Sequence, residues 1–220
     1  VFDSATVADT VRQEVREFIA RNSPPGECYD GIRVPRDEEA ERALRRWYSA
    51  LFDSGYMGGS WPVRYGGRED HTPQRDAVVM EEIVRARAPR PIDQVLLAAH
   101  LIIEFGTEAQ HARYLPRIRS AQDIWCQLLS EPGVGSDLAR LSTKAIQLSD
   151  GTFRVDGQKV WTTDAQWSQM GVLLARTDPG AARPHAGLTM FVVDMTSPGI
   201  DVRPIREMTG SAEFCEVYLD

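Results

Sequence analysis

The sequence predicts an α+β fold in which helices come first and strands follow. Three observations carry this. Apolar residues recur at helical spacing up to about residue 121, short alternating apolar runs replace them from 122 onward, and turn formers cluster between the runs. A helical block followed by a strand block reads as two domains, 1–121 and 122–220.

Within the first block, Val7, Val11, Val15, Phe18 and Ile19 recur along one face of a first helix. Ser4 and Thr6 are its candidate caps and "NSPPG" is its stop. A second helix is predicted from Asp37 to Ser54, with Ala40, Ala43, Leu44, Trp47 and Leu51 as its apolar stripe. It ends in "SGYMGGSWPVRYGG", too dense in turn formers for regular structure. Thr72 caps a third helix carrying Val79 and Ile83, which "APRP" closes. A fourth, mostly buried helix fits 93–105, and Thr107 caps a fifth, with Gly106 and Pro116 as punctuation.

In the second block, "TFRVDGQKVWTT" alternates about Asp156-Gly157, a hairpin signal. "GVLLARTD", "GLTMFVVD" and "GIDVRPI" are further short strands, separated by turns at Asp178–Gly180 and Ser197–Gly199. No repeat or low-complexity tract interrupts them.

Composition excludes several functions. A net charge of −7 argues against nucleic acid, which requires a basic footprint. No apolar run approaches the roughly 20 residues of a membrane helix, and the longest candidate, "VLLAAHLII", contains His100. The opening "VFDSATVADTVRQEVREF" is amphipathic and acidic, so no signal peptide is expected, and a start at Val1 suggests trimming. Cys28, Cys126 and Cys215 match no disulfide or zinc framework, and reduced thiols in a cytoplasmic protein are expected. His71, His100, His111 and His185 are scattered, so neither a metal site nor a triad is expected.

Chemistry concentrates in two stretches. "LLSEPGVGSDLARLSTKA" places Gly133 and Gly135 where the backbone could approach a ligand closely or take positive φ. Ser130 and Ser136 add hydroxyls, and successive loop N–H groups can form an anion site. The loop is neither a P-loop nor a dinucleotide fingerprint, and composition fits an interdomain turn equally well. In "GQKVWTTDAQWS", Trp161 and Thr163 are two apart and so share a strand face. Such a pair could cover a flat heteroaromatic ring and bond its edge, or form an ordinary half-buried strand.

Taken together, Gln127–Asp137, Thr143–Ala145 and Gly157–Thr163 resemble the acyl-CoA dehydrogenase family signature. "SGYMGGSWPVRYGG", "FGTEAQHARYLP", "LLARTDP" and "MTGSAEFCEVYLD" are similar to further landmarks of that family in the same order. The resemblance implies an all-helical N-terminal domain followed by an antiparallel β-barrel-like domain, incomplete at its C-terminal end. It further implies that a C-terminal helical domain is absent and that this chain alone is inactive.

By the same resemblance the activity is α,β-dehydrogenation of an acyl-CoA thioester to the trans-2-enoyl-CoA, with FAD as cofactor. Gln127, Leu129 and Ser130 would line the flavin ring and its pyrimidine edge. Gly135 and Ser136 would approach the pyrophosphate, and Ser136 also the pantetheine of the substrate. Trp161 would pack on the isoalloxazine and Thr163 would reach N5. Expected partners are the acyl-CoA, an electron-transfer flavoprotein or equivalent acceptor, and further subunits in a homo- or hetero-oligomer. Asp164-Ala165 departs from the Asn-Gly or Ser-Gly common in the family, and Thr162 replaces a frequent Ile. No catalytic residue is assigned, because the family's base lies in a region without counterpart here and Glu131 reads as a turn-stabilising carboxylate. Two alternatives share the scaffold: a non-catalytic flavin- or acyl-CoA-binding subunit, and a flavin oxidase or monooxygenase.

Overall fold

The computed structural model describes residues 4–26, 35 and 37–220, with side chains from residue 9 onward. The candidate caps Ser4 and Thr6, the stripe residue Val7 and Cys28 therefore lie outside what is described of side chains or of structure. The chain divides into two compact units, Val1–Gln122 and Asp123–Asp220.

The first unit contains α1 (Ser4–Asn22), α2 (Glu38–Asp53), α3 (Pro73–Arg85), α4 (Asp93–Phe105) and α5 (Glu108–Arg119). Their starts follow from capping chemistry: Asp37, Thr72 and Thr107 each accept a hydrogen bond from the backbone N–H three residues on. At Thr107 the Gln110 side chain bonds back to the cap, closing a capping box. Pro116 lies inside α5 instead of ending it. The core is made by Val15 and Ile19, Leu44, Trp47 and Leu51, Val79 and Ile83, Ala98 and Ile102, and Leu115 and Ile118. The Trp47 indole N–H is satisfied by the Pro89 carbonyl at 2.8 Å.

One charge sits in this core. Glu82 on α3 is buried and bonds Arg12 and Arg16 of α1. The Arg16 hydrogen bond leads in holding its carboxyl down to about 2, against burial. The loop after α2 is shaped by close approach: a Cβ on Gly67 would lie 1.6 Å from the Trp61 carbonyl oxygen. Arg119 caps that loop by donating to the Gly66 and Phe52 carbonyls. Nearby, Tyr65 and His111 bond through Nδ1 at 2.8 Å, while His111 Nε2 donates to the Ile102 carbonyl.

The second unit holds β1 (Trp125–Leu128), β2 (Lys144–Gln147), β3 (Phe153–Thr163), β4 (Met170–Arg176), β5 (Leu188–Asp194), β6 (Ile200–Pro204) and β7 (Phe214–Leu219). They form a seven-stranded sheet in the order β1-β4-β2-β3-β7-β6, with β5 on the other edge of β4. Helices followed by a sheet are what the sequence predicts, but the sheet is mixed and does not close on itself. β1 and β2 both run parallel to β4, because each reaches it through a long crossover and not a hairpin.

The hairpin signal at Asp156-Gly157 is also corrected. Both residues lie inside the continuous strand β3, where Asp156 pairs with Lys144 and Gly157 with Leu219. Gly157 is required there by contact, since a Cβ would sit 2.4 Å from Thr143 Oγ1. The reversal comes earlier, at Ser149-Asp150-Gly151. Gly151 takes φ +85° there, and Asp150 accepts from the Thr152 N–H. Cys126, Leu128, Leu173, Ala175, Cys215, Val217 and Leu219 make the core. Among the described residues no helix is long and apolar enough to cross a membrane.

Candidate functional site

The site is built where β1 leaves the sheet. After Leu128 the chain enters a tight turn in which Glu131 and Val134 exchange backbone hydrogen bonds at 2.9 and 3.0 Å, with Pro132-Gly133 at the tip. Neither Gly133 nor Gly135 takes positive φ, and a Cβ at either would meet nothing within 4 Å. Of the two reasons for glycine considered from the sequence, positive φ is excluded at both positions, and the space around them is open. Ser136 is exposed beside them.

Glu131 ties this loop down. Its buried carboxylate accepts from Ser142 N, Ser142 Oγ, Thr143 N and Lys159 Nζ, at 2.7, 2.6, 2.8 and 3.0 Å. Burial raises its carboxyl, but the bonds from Ser142 and Thr143 outweigh it and take the group down to about 2. Lys159 Nζ also donates to the Leu129 carbonyl, and its own burial lowers its pKa against the pull of Glu131. Arg176 holds the far end of the loop by donating to the Ala139 and Leu141 carbonyls.

The loop is joined to β3 by the Val160 N–H, which donates to the Ser130 carbonyl at 2.9 Å. The next residue is Trp161. Its backbone is left-handed at φ +59°, within a bulge between Lys159 and Thr162 in the β3–β7 pairing. A bulky side chain adopts this region only when its surroundings impose it. The consecutive burial of Lys159 and Val160 marks the bulge, after which alternation resumes. Trp161 is 59 % exposed, Thr162 is buried and Thr163 half-buried. The indole meets the Phe214 ring edge-on at 5.9 Å.

Leu129, Ser130 and Trp161 are thus brought together by direct bonds between their neighbours. Gln127 lies two residues before Leu129 on β1, half-buried, and Thr163 lies just past the bulge. Gly135 and Ser136 lie out on the exposed turn, and no hydrogen bond among the described residues links them to Trp161. The side chains of Gln127, Ser130, Ser136 and Thr163 form no hydrogen bond among the described residues, leaving polar groups available to a ligand.

Sequence reasoning did not identify Lys159, Arg176 or Phe214, because nothing in their spacing shows what they touch. Asp164 follows Thr163 with φ +61° and is 4 % exposed, and no hydrogen bond reaches its Oδ1. Burial pushes its carboxyl up to about 6, the Trp167 indole pulls against the rise and Glu213 adds to it. Burial pushes the Cys126 thiol up to about 12, far from a reactive thiolate. Among the described residues no cluster of His, Cys, Asp or Glu could hold a metal ion.

Comparison with known proteins agrees with this architecture. Residues 7–122 match the family described as acyl-CoA dehydrogenase, N-terminal domain, and residues 126–220 match acyl-CoA dehydrogenase, middle domain. Acyl-CoA dehydrogenase FadE34 of Mycobacterium tuberculosis is 47% identical over 173 residues, covering 78% of this chain and 24% of the relative. Acyl-CoA dehydrogenase IpdE1 of the same organism is 42% identical over 214 residues, covering 95% and 54%. Among solved structures, the Tcur3481-Tcur3483 steroid ACAD superposes with a TM-score of 0.83 at 29% identity, over 98% of this chain and 54% of that one. The ChsE4-ChsE5 complex from M. tuberculosis gives 0.81 at 27%, over 100% and 54%. The chain belongs to the acyl-CoA dehydrogenase family. It spans about half the length of IpdE1 and about a quarter of FadE34.

Proposed function

We propose that this chain is the N-terminal and middle part of an FAD-dependent acyl-CoA dehydrogenase, which converts an acyl-CoA thioester to the trans-2-enoyl-CoA. The observation that supports this reading best is the Val160–Ser130 hydrogen bond, because it sets an exposed indole beside a loop with free hydroxyls and open glycines. Those residues fit a flat, phosphorylated group. Trp161 would cover the ring, Thr163 and Ser130 would bond its edge, and Gln127 and Leu129 would line it. Gly135 would let the pyrophosphate approach, and Ser136 would serve the pyrophosphate and the pantetheine arm. When bound, FAD supplies the acceptor for the hydride that leaves the β-carbon.

The chain's own contribution is to bind and orient. Glu131 is not the proton-abstracting base in this reading, since both its oxygens are engaged and its carboxyl is held near 2. We place the base outside these 220 residues. Likeness to the Tcur3481-Tcur3483 steroid ACAD favours a steroid-derived acyl-CoA as substrate, and likeness to the ChsE4-ChsE5 complex favours a hetero-oligomer. An electron-transfer flavoprotein or equivalent would reoxidise the cofactor.

The full-length protein, expressed with its partner subunit, should be yellow and should reduce a dye on addition of a steroid-CoA ester. A colourless protein that ignores added FAD would end this reading. Hydrogen peroxide as the main product would instead point to an oxidase on the same scaffold.

A further inference from the structure

Asp164 combines three features: deep burial, a carboxyl oxygen with no hydrogen bond, and a left-handed backbone three residues after a left-handed Trp161. The two left-handed residues bracket Thr162 and Thr163, so the end of β3 is a short segment fixed at both ends by enforced backbone geometry. The Asp164 N–H donates to the Glu213 carbonyl at 2.9 Å, and its own carbonyl accepts from Ser168 Oγ at 2.8 Å. Glu213 leads directly into Phe214, whose ring the Trp161 indole touches. The Asp164 turn and the indole are therefore linked through one peptide step of the neighbouring strand.

The groups facing this carboxyl are Cys126 from β1, Cys215 from β7, Glu213 just before β7, and Trp167 from the turn that follows Asp164, where Ser168 bonds the Asp164 main-chain carbonyl and not the carboxyl. None of them is a cation. On β6, Arg203 is engaged with Asp201 at 2.6 Å. An anion formed at Asp164 thus lacks a positive partner and gains by moving toward water.

We propose that Asp164 is a proton-linked positioning residue for Trp161. With the carboxyl neutral, the turn closes on Glu213 and the indole rests against Phe214; with it ionised, the turn opens and the indole leaves that contact. The coupling belongs to the chain's own residues, holds without bound flavin, and goes beyond the function proposed above. Burial, which raises the carboxyl to about 6, places the change near neutral pH.

The test is a pH titration of the 220-residue chain by NMR, from about pH 4.5 to 8. It follows side-chain carboxyl carbons, assigned with Asp164→Asn, and indole N–H resonances, assigned with Trp161→Phe. The expected result is a carboxyl with a midpoint of about 6 that is missing in D164N, and a Trp161 indole that shifts with the same midpoint in the wild type and stays still in D164N. The Trp47 indole, bonded to Pro89 in the other unit, should stay still in both and so exclude global unfolding. A Trp161 resonance that stays flat while Asp164 titrates overturns the proposal, as does an Asp164 that titrates in the ordinary carboxylate range. Loss of FAD binding by the full-length protein would count against the function proposed above and leaves this titration unaffected.

Discussion

Lys159 Nζ lies 3.0 Å from Glu131 Oε1, and the two side chains are 0 % and 3 % exposed. This buried pair spans the loop and the strand that together form the candidate site. Removing one partner leaves a buried charge alone, so Lys159→Met should destabilise the protein by about 3–5 kcal/mol. The double variant Lys159→Met/Glu131→Gln should recover part of that loss in urea unfolding. Equal instability of the single and double variants would mean the charges are not coupled.

The same carboxylate dictates an acid limit. Its folded pKa of about 2 lies below the ordinary 4.5, so its stabilisation is complete above 4.5 and is lost as pH falls toward 2. The loss should be on the order of 3 kcal/mol, and Glu131→Gln should remove that part of the pH dependence.

Asp164 has the opposite sign. Its folded pKa of about 6 exceeds the ordinary 3.8, so the folded state holds the proton more tightly than the unfolded state. Stability is greatest below about 4 and is lost as pH rises through 6. Asp164→Asn should be flat across this window and, above it, more stable than wild type by on the order of 3 kcal/mol. A parallel decline in both proteins would show that another group titrates.

Trp161→Gly should separate stability from binding. Glycine relieves the left-handed backbone, which costs a bulky residue about 1–3 kcal/mol, while the lost edge contact with Phe214 is worth about 0.5–1.5 kcal/mol. Urea midpoints should therefore change little or rise. FAD affinity of the full-length protein should drop at least about tenfold, or roughly 1.4 kcal/mol. Unchanged affinity would remove the indole from the cofactor site.

Two alanines make a matched pair. Gly135→Ala meets no atom of the chain within 4 Å and should alter stability by less than about 0.5 kcal/mol, yet it should weaken FAD binding by full-length protein. Gly157→Ala drives a Cβ into Thr143 and should cost about 1–3 kcal/mol. Thermal melts beside FAD titrations distinguish the two. A G135A protein that binds FAD as well as wild type would mean the loop leaves its ligand more room than proposed.

Much of the helical unit was legible because caps are local: Asp37, Thr72 and Thr107 act within three residues of themselves. The sheet was less so. Asp156-Gly157 carries the letters of a hairpin, but the contact with Thr143 that explains the glycine lies outside any local window. Parallel pairing of β1 with β4 depends on a crossover that alternation does not encode. At the site, the two motifs could be read as chemistry from their residue types. Their junction through Val160 and Ser130, and the burial of Lys159 beneath it, are tertiary facts.

The bulge at Trp161 also sets a tolerance for change in the gene. Side chains alternate between the two surfaces of a strand, so losing one codon between Phe153 and Val160 would tend to turn the indole inward while the strand's neighbours stayed put. Such a protein would keep its sheet and lose the exposed indole. Length changes should be tolerated in the Ser149–Gly151 reversal and selected against in the strand that follows it.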